Sequence, residues 1–278
     1  MSSLSHRTID LAPFNDILTR YDAHIKEASD SKQKRKSADN NDSLAVLDDW
    51  RLKTLPEVLK ERRDHTAGDH LKKAEVEKLI RWKLMHGTFR PSLMKLVSSN
   101  EESKIENVTA RAFEVVNPRL DAAGDKLSIS IGEGISILTE LRGIGPASAS
   151  LLLGVRFPGH IPFFSDEAFR WLTATSGNPW TAGIKYNAKE YAAMLDTCLC
   201  LAERLRVDAV DIERVGWVLG REWADLSEST SATSATETGP RRDNSMVGSK
   251  RKEEHAEPES PDSSLDTSST RPKRSKKQ

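Results

Sequence analysis

Residues 141–149 read Leu-Arg-Gly-Ile-Gly-Pro-Ala-Ser-Ala, and no other stretch restricts the fold of this chain as strongly. A glycine at each of two turn positions, Gly143 and Gly145, lets the backbone reach φ > 0 and come close to an anion. Pro146 suits the first turn of a following helix, where its missing N–H costs nothing. Ala147, Ser148, Ala149 and Ser150 keep that helix thin, so another helix can cross it closely. A loop of this kind aims backbone N–H groups at a phosphate.

The rest of the chain reads as helices. Pro13-Phe14 begins an amphipathic run with Ile17, Leu18, Tyr21 and Ile25 on one side. The stretch Ser29–Asp42 is charged and aperiodic, and reads as a solvated linker. Apolar residues resume at Leu44, Leu47 and Trp50, and a new helix is expected at Thr54-Leu55-Pro56. Ala74–His86 has helical spacing and stops at Gly87; Pro91–Val97 makes a short helix. Ser98-Ser99-Asn100 caps the next, which ends before Asn117-Pro118. Gly132–Leu141 leads into the glycine turn and Pro146–Leu153 leads out of it. A loop at Phe157–Pro162 precedes a helix from Ser165 through Leu172. Asn187 and Glu190 form a capping box for a helix reaching about Arg206, and Asp208 starts the last one. With no long alternating β-branched runs, the expected fold is all-α. The expected division is 1–42 as N-terminal helix and linker, 43–226 as the helical domain, and 227–278 as a disordered tail.

Basic and acidic residues balance at 42 each, which hides local clusters. The tail is rich in Ser, Thr, Glu, Pro and Lys, and cannot bury enough surface to offset its ordering entropy. It ends in the basic run Arg271-Pro-Lys-Arg-Ser-Lys-Lys277, which reads as a nuclear address for an import receptor or as a nucleic-acid contact. The two cysteines, Cys198 and Cys200, can form neither a disulfide framework nor a four-thiolate cluster, and fit a reducing compartment. No run approaches the ~18 apolar residues that span a bilayer, and no membrane partner is expected.

The residues Leu141, Gly143, Ile144, Gly145 and Ala149 resemble the helix-hairpin-helix motif. Asp166, in Phe163-Phe164-Ser165-Asp166-Glu167, extends the resemblance to the helix-hairpin-helix DNA glycosylases, which include endonuclease III and the adenine and oxoguanine glycosylases. The similarity covers about residues 95–175, and the hairpin is its specific part. It implies sequence-independent binding of double-stranded DNA, with Gly143, Ile144, Gly145, Ala147 and Ser148 at a phosphate and a monovalent cation at the hairpin. No other cofactor and no other metal is expected. Asp166 would be the catalytic carboxylate of a monofunctional base-excision enzyme acting on a flipped-out base in the nucleus.

The chain departs from that family in several places. Members with lyase activity carry a lysine two positions after the second hairpin glycine; Ala147 stands there. Glu167-Ala168 replaces the usual polar residue after the aspartate, and the segment from Ala112 to Leu141 is short. A second reading follows, in which Ser165, Asp166 and Glu167 are an ordinary acidic first turn. The protein is then a non-catalytic helical scaffold that retains the hairpin. Arg81, Lys83 and Arg90 are candidates to line a phosphate groove, and Trp82 and Trp171 read as core.

Overall fold

The computed structural model describes residues 4–33, 43–65, 68–117, 125–175 and 178–234. Every regular element among them is helical, as the spacing predicts. Helices α1 (Leu11–Thr19) and α2 (Tyr21–Gln33) meet at Arg20. Helix α3 (Leu44–Asp49) starts under Ser43, whose hydroxyl accepts from the Val46 amide, and runs through a π-turn, Trp50–Thr54, into α4 (Leu55–Asp64). Leu55 donates to the Trp50 carbonyl across that widened turn, so α4 begins at Leu55, as expected, in continuation of the helix before it. The wide turn absorbs the amide that Pro56 lacks and the crowding its ring brings.

Helix α5 (Lys73–His86) stops at Gly87 and is followed by α6 (Leu93–Ser98), α7 (Glu102–Val116) and α8 (Asp125–Leu138). The glycine turn then leads into α9 (Pro146–Gly154). After the loop come α10 (Asp166–Leu172), a short 3-10 turn at Pro179–Thr181, α11 (Ala188–Leu205) and α12 (Ala209–Ser234).

Helices α7 and α8 pack together, and α10 lies across α12. Small residues set both crossings. A Cβ on Gly134 would stand 2.9 Å from Val116 Cγ2, and one on Gly216 would stand 2.9 Å from Ala168 Cα. Neither helix pair could approach as it does with a larger side chain there.

The N-terminal segment belongs to the same core. Ile9, Phe14, Ile17, Tyr21 and Ile25 are buried, and α1 and α2 both pack on α12. The linker expected from Ser29 begins later, because α2 continues to Gln33 and Ser29 is itself buried. Its hydroxyl accepts from the Ala45 amide at the start of α3, which gives a polar residue a reason to be inside. The last helix likewise runs past the expected end at Leu226 to Ser234. Residues 34–42 of the linker, most of the expected tail and its basic run Arg271–Lys277 lie outside the described residues.

One buried polar cluster fixes the segment that precedes Asp166. The Arg51 guanidinium reaches both oxygens of Glu213 at 2.8 Å and stacks 4.0 Å over the Trp82 ring. Glu213 also accepts from the Phe163 amide at 2.9 Å. Asp48 accepts from Tyr21 Oη at 3.0 Å and Trp82 Nε1 at 2.8 Å. On the next residue, the Phe164 amide donates to Ser150 Oγ of α9 at 2.9 Å. Phe163-Phe164 is thus tied to α12 on one side and to α9 on the other, and Asp166 is held in register with the glycine turn.

Candidate nucleic-acid interface

The turn is held from below by Leu141 and Ile144, both buried, and from the side by Asn100. Asn100 Oδ1 accepts from the Arg142 amide at 2.9 Å, while Nδ2 donates to Arg142 O at 3.0 Å and Val97 O at 2.9 Å. Asn100 therefore staples the end of α6 to the turn. It does not cap α7, whose N-cap is Glu101.

The two glycines have different reasons to be glycine. Gly143 has φ +80° and a Cβ there would lie 3.0 Å from Leu96 Cβ and 3.3 Å from the Val97 amide, so the backbone itself demands glycine. Gly145, the N-cap of α9, is extended at φ −103°, ψ −178°, against the expectation of φ > 0 at both. A Cβ on Gly145 would meet nothing within 4 Å. Its missing side chain leaves open space beside the backbone and relieves no local strain.

The amides divide in the same way. Ile144 donates to Leu141 O at 3.1 Å, and Ser148 donates to Gly145 O at 2.9 Å. Ile144 is also buried and does not line the cleft. The amides of Gly145 and Ala147 donate to no acceptor among the described residues. Both residues line the cleft, as do Gly143 and Ser148.

That cleft has a volume of about 370 Å³, and Phe163–Glu167 also line it. Asp166 opens α10, but the cap is Ser165, whose hydroxyl accepts from the Ala168 amide at 3.1 Å. The Asp166 carboxylate turns to Tyr186 instead, accepting from its hydroxyl at 2.8 Å. Tyr186 holds φ +55°, a left-handed backbone that costs a bulky residue about 1 kcal/mol. Arg90 lies 5.3 Å over its ring. Burial, and then the bond to Asp166, push the Tyr186 hydroxyl up to about 12, so it remains a donor.

Two more groups in the cleft are shifted. Lys83 of α5 donates to Ser148 Oγ at 2.7 Å. Burial, reinforced by the positive charge of Arg90 and opposed by Asp166, lowers its ammonium to about 8. Glu167 is raised to about 7, chiefly by burial. Of the basic residues expected along a groove, Lys83 and Arg90 line the cleft, whereas Arg81 is exposed and does not. Trp82 and Trp171 are core, as their spacing predicts. Among the described residues no group of three or more His, Cys, Asp or Glu could hold a metal ion.

Tyr186 is the site residue that the sequence reading missed. It sits in a loop, at Lys185-Tyr186-Asn187, and no local pattern marks a left-handed tyrosine. Comparison with known proteins finds no matching family, no matching curated protein and no matching solved structure.

Proposed function

We propose that this protein binds duplex DNA at the Gly143–Ser148 turn and excises a base with the help of Asp166. The observation that carries the reading is the meeting of three features in one cleft: two amides without acceptors, a glycine with no local need to be glycine, and a carboxylate that does not cap its own helix. The Gly145 and Ala147 amides hold a backbone phosphate, as free donors at a helix N-terminus do. The carbonyls of Gly143 and Ile144 accept from no described donor, and they are the oxygens that would hold a monovalent cation between the turn and that phosphate. A cleft of about 370 Å³ is of the size that takes a small ligand, on the order of 300–1,000 Å³. A base turned out of the stack can enter it.

In the reaction the C1′–N bond breaks and its electron pair leaves with the base. Positive charge develops on the sugar, and the Asp166 carboxylate, held by the Tyr186 hydroxyl, stabilises it. Water then adds to C1′, a proton passes from it to the departed base, and an abasic site remains. No lysine takes part in this step. The chain works in the nucleus, delivered by a receptor that reads Arg271–Lys277.

Incubation with a panel of duplexes, each carrying one damaged or mismatched base, tests the reading. The wild type is expected to leave an abasic product on at least one duplex. Asp166→Asn, which keeps the hydrogen bond but not the charge, is expected to slow it by about 100-fold or more. Binding without product on any duplex, with Asp166→Asn equal to wild type, removes the enzyme and leaves a non-catalytic scaffold that retains the turn.

A further inference from the structure

We propose that Lys83 is a nucleophilic amine that captures an aldehyde carbon in the cleft as an imine, the aldehyde being the ring-opened sugar of an abasic site. The identity of that aldehyde rests on the reading above; the lysine's chemistry does not. Lys83 reaches the cleft from α5, and the loop that carries Asp166 lines the same cleft. Its Nζ lies 2.7 Å from Ser148 Oγ and 6.0 Å from the centre of the Phe163 ring. Its hydrogen bond goes to that hydroxyl, and no carboxylate stands within ion-pair distance of it among the described residues. A lysine kept for the fold is normally paired or points to water. This one stands half-buried between a hydroxyl and an aromatic face, at the edge of an open space. With its ammonium lowered to about 8, a tenth or so of the amine carries a free electron pair at neutral pH, where an ordinary lysine carries almost none.

The chemistry balances without an oxidant or reductant. Hydrolysis at C1′ leaves a hemiacetal, which equilibrates with the open-chain aldehyde. The Nζ lone pair adds to the aldehyde carbon, and one proton passes from nitrogen to the oxygen to give a neutral carbinolamine. The hydroxyl then leaves as water with a second proton, nitrogen loses its own proton, and the imine remains. One aldehyde and one amine become one imine and one water. Glu167, raised to about 7 in the same cleft, can both give and take a proton at neutral pH.

The test is reductive trapping of the full chain with sodium cyanoborohydride, using two probes in parallel: a duplex with one abasic site, and glyoxylate, an aldehyde small enough to enter the cleft without DNA. Non-covalent affinity for a duplex carrying an unreactive tetrahydrofuran abasic analogue is measured alongside. The expected result is a covalent adduct with both probes, mapped to Lys83 by peptide mass spectrometry. Its yield falls about tenfold or more in Lys83→Arg, which keeps the charge but not the nucleophile. Adduct yield in the wild type rises between pH 6 and 8, as the amine loses its proton among Arg90, Asp166 and Glu167. Glyoxylate on Lys83 with no affinity for any duplex keeps the lysine's chemistry and removes DNA as its substrate. Affinity for the tetrahydrofuran duplex with no adduct at Lys83 from either probe overturns the lysine and leaves DNA binding standing. An adduct that persists in Lys83→Arg also overturns it.

Discussion

Glu213→Ala is expected to destabilise the protein by about 3–5 kcal/mol. Glu213 and Arg51 are 2% and 3% exposed, so removing the carboxylate strands a guanidinium in the interior. Among the described residues Arg51 Nε and Nη1 already lack partners, and Nη2 would join them. The Phe163 amide would lose its acceptor as well. Domains are stable by only about 5–15 kcal/mol, so one substitution removes a large share of the whole. Urea unfolding followed by circular dichroism reads the change directly. The double variant Arg51→Met/Glu213→Leu is expected to recover much of the loss, since the cost lies in the unpaired charge and exceeds the net worth of the pair. An effect of Glu213→Ala below about 1 kcal/mol would mean that water reaches this cluster.

Lys83→Met is expected to have the opposite sign. The lysine titrates at about 8 in the folded chain and at 10.5 when unperturbed. Between those values the unfolded state holds more protons than the folded one, so wild-type stability rises with pH through that window. Below pH 8 the burial penalty is present in full, about 3 kcal/mol at most; above pH 10.5 it vanishes. Loss of the hydrogen bond to Ser148 offsets roughly 1 kcal/mol of the gain. The variant should therefore be more stable than wild type by about 2 kcal/mol at pH 7, and the advantage should disappear toward pH 10.5. Thermal unfolding of both proteins across that range checks it. A residue whose removal stabilises the fold is one that the fold did not require, which is the expected mark of a working group.

The helices were legible because their apolar spacing is local. Val76, Leu79 and Ile80 share a face of α5, and that face is buried as their spacing predicts. Gly143 was legible for the same reason, since a short turn between helices needs a left-handed residue. What escaped the sequence depends on partners far along the chain. Ser29 looks solvated until Ala45 comes to bond it. Asn100 looks like a cap until the turn 42 residues later takes both ends of its amide. Pro56 marks the start of α4, but the π-turn that joins it to α3 carries no local signal.

The site was legible in outline. Asp166 and four of the five expected turn residues line one cleft. The fifth, Ile144, is an apolar residue at a buried position, and its side chain packs inward. Tyr186 could not be found, because its role depends on a backbone conformation that no neighbouring residue announces. Lys83 reads from the sequence as a groove cation, but its altered chemistry comes from burial against Phe163 and from Arg90, which only the packed helices bring together.

Gly145 offers the most direct test of the claim that the turn meets DNA. Gly143 is unsuitable, because its left-handed backbone and its contacts with Leu96 and Val97 would break on substitution whatever the turn does. At Gly145 a side chain meets open space and the backbone is already extended, so Gly145→Val should cost no more than about 1 kcal/mol of stability. The measurement is fluorescence anisotropy of a labelled duplex with wild type and Gly145→Val, titrated at roughly 50 to 200 mM salt. The prediction is wild-type affinity that falls steeply with salt, and an affinity for Gly145→Val weaker by about tenfold or more at each concentration. Equal affinities for the two proteins, or no binding of the wild type at the lowest salt, would contradict it.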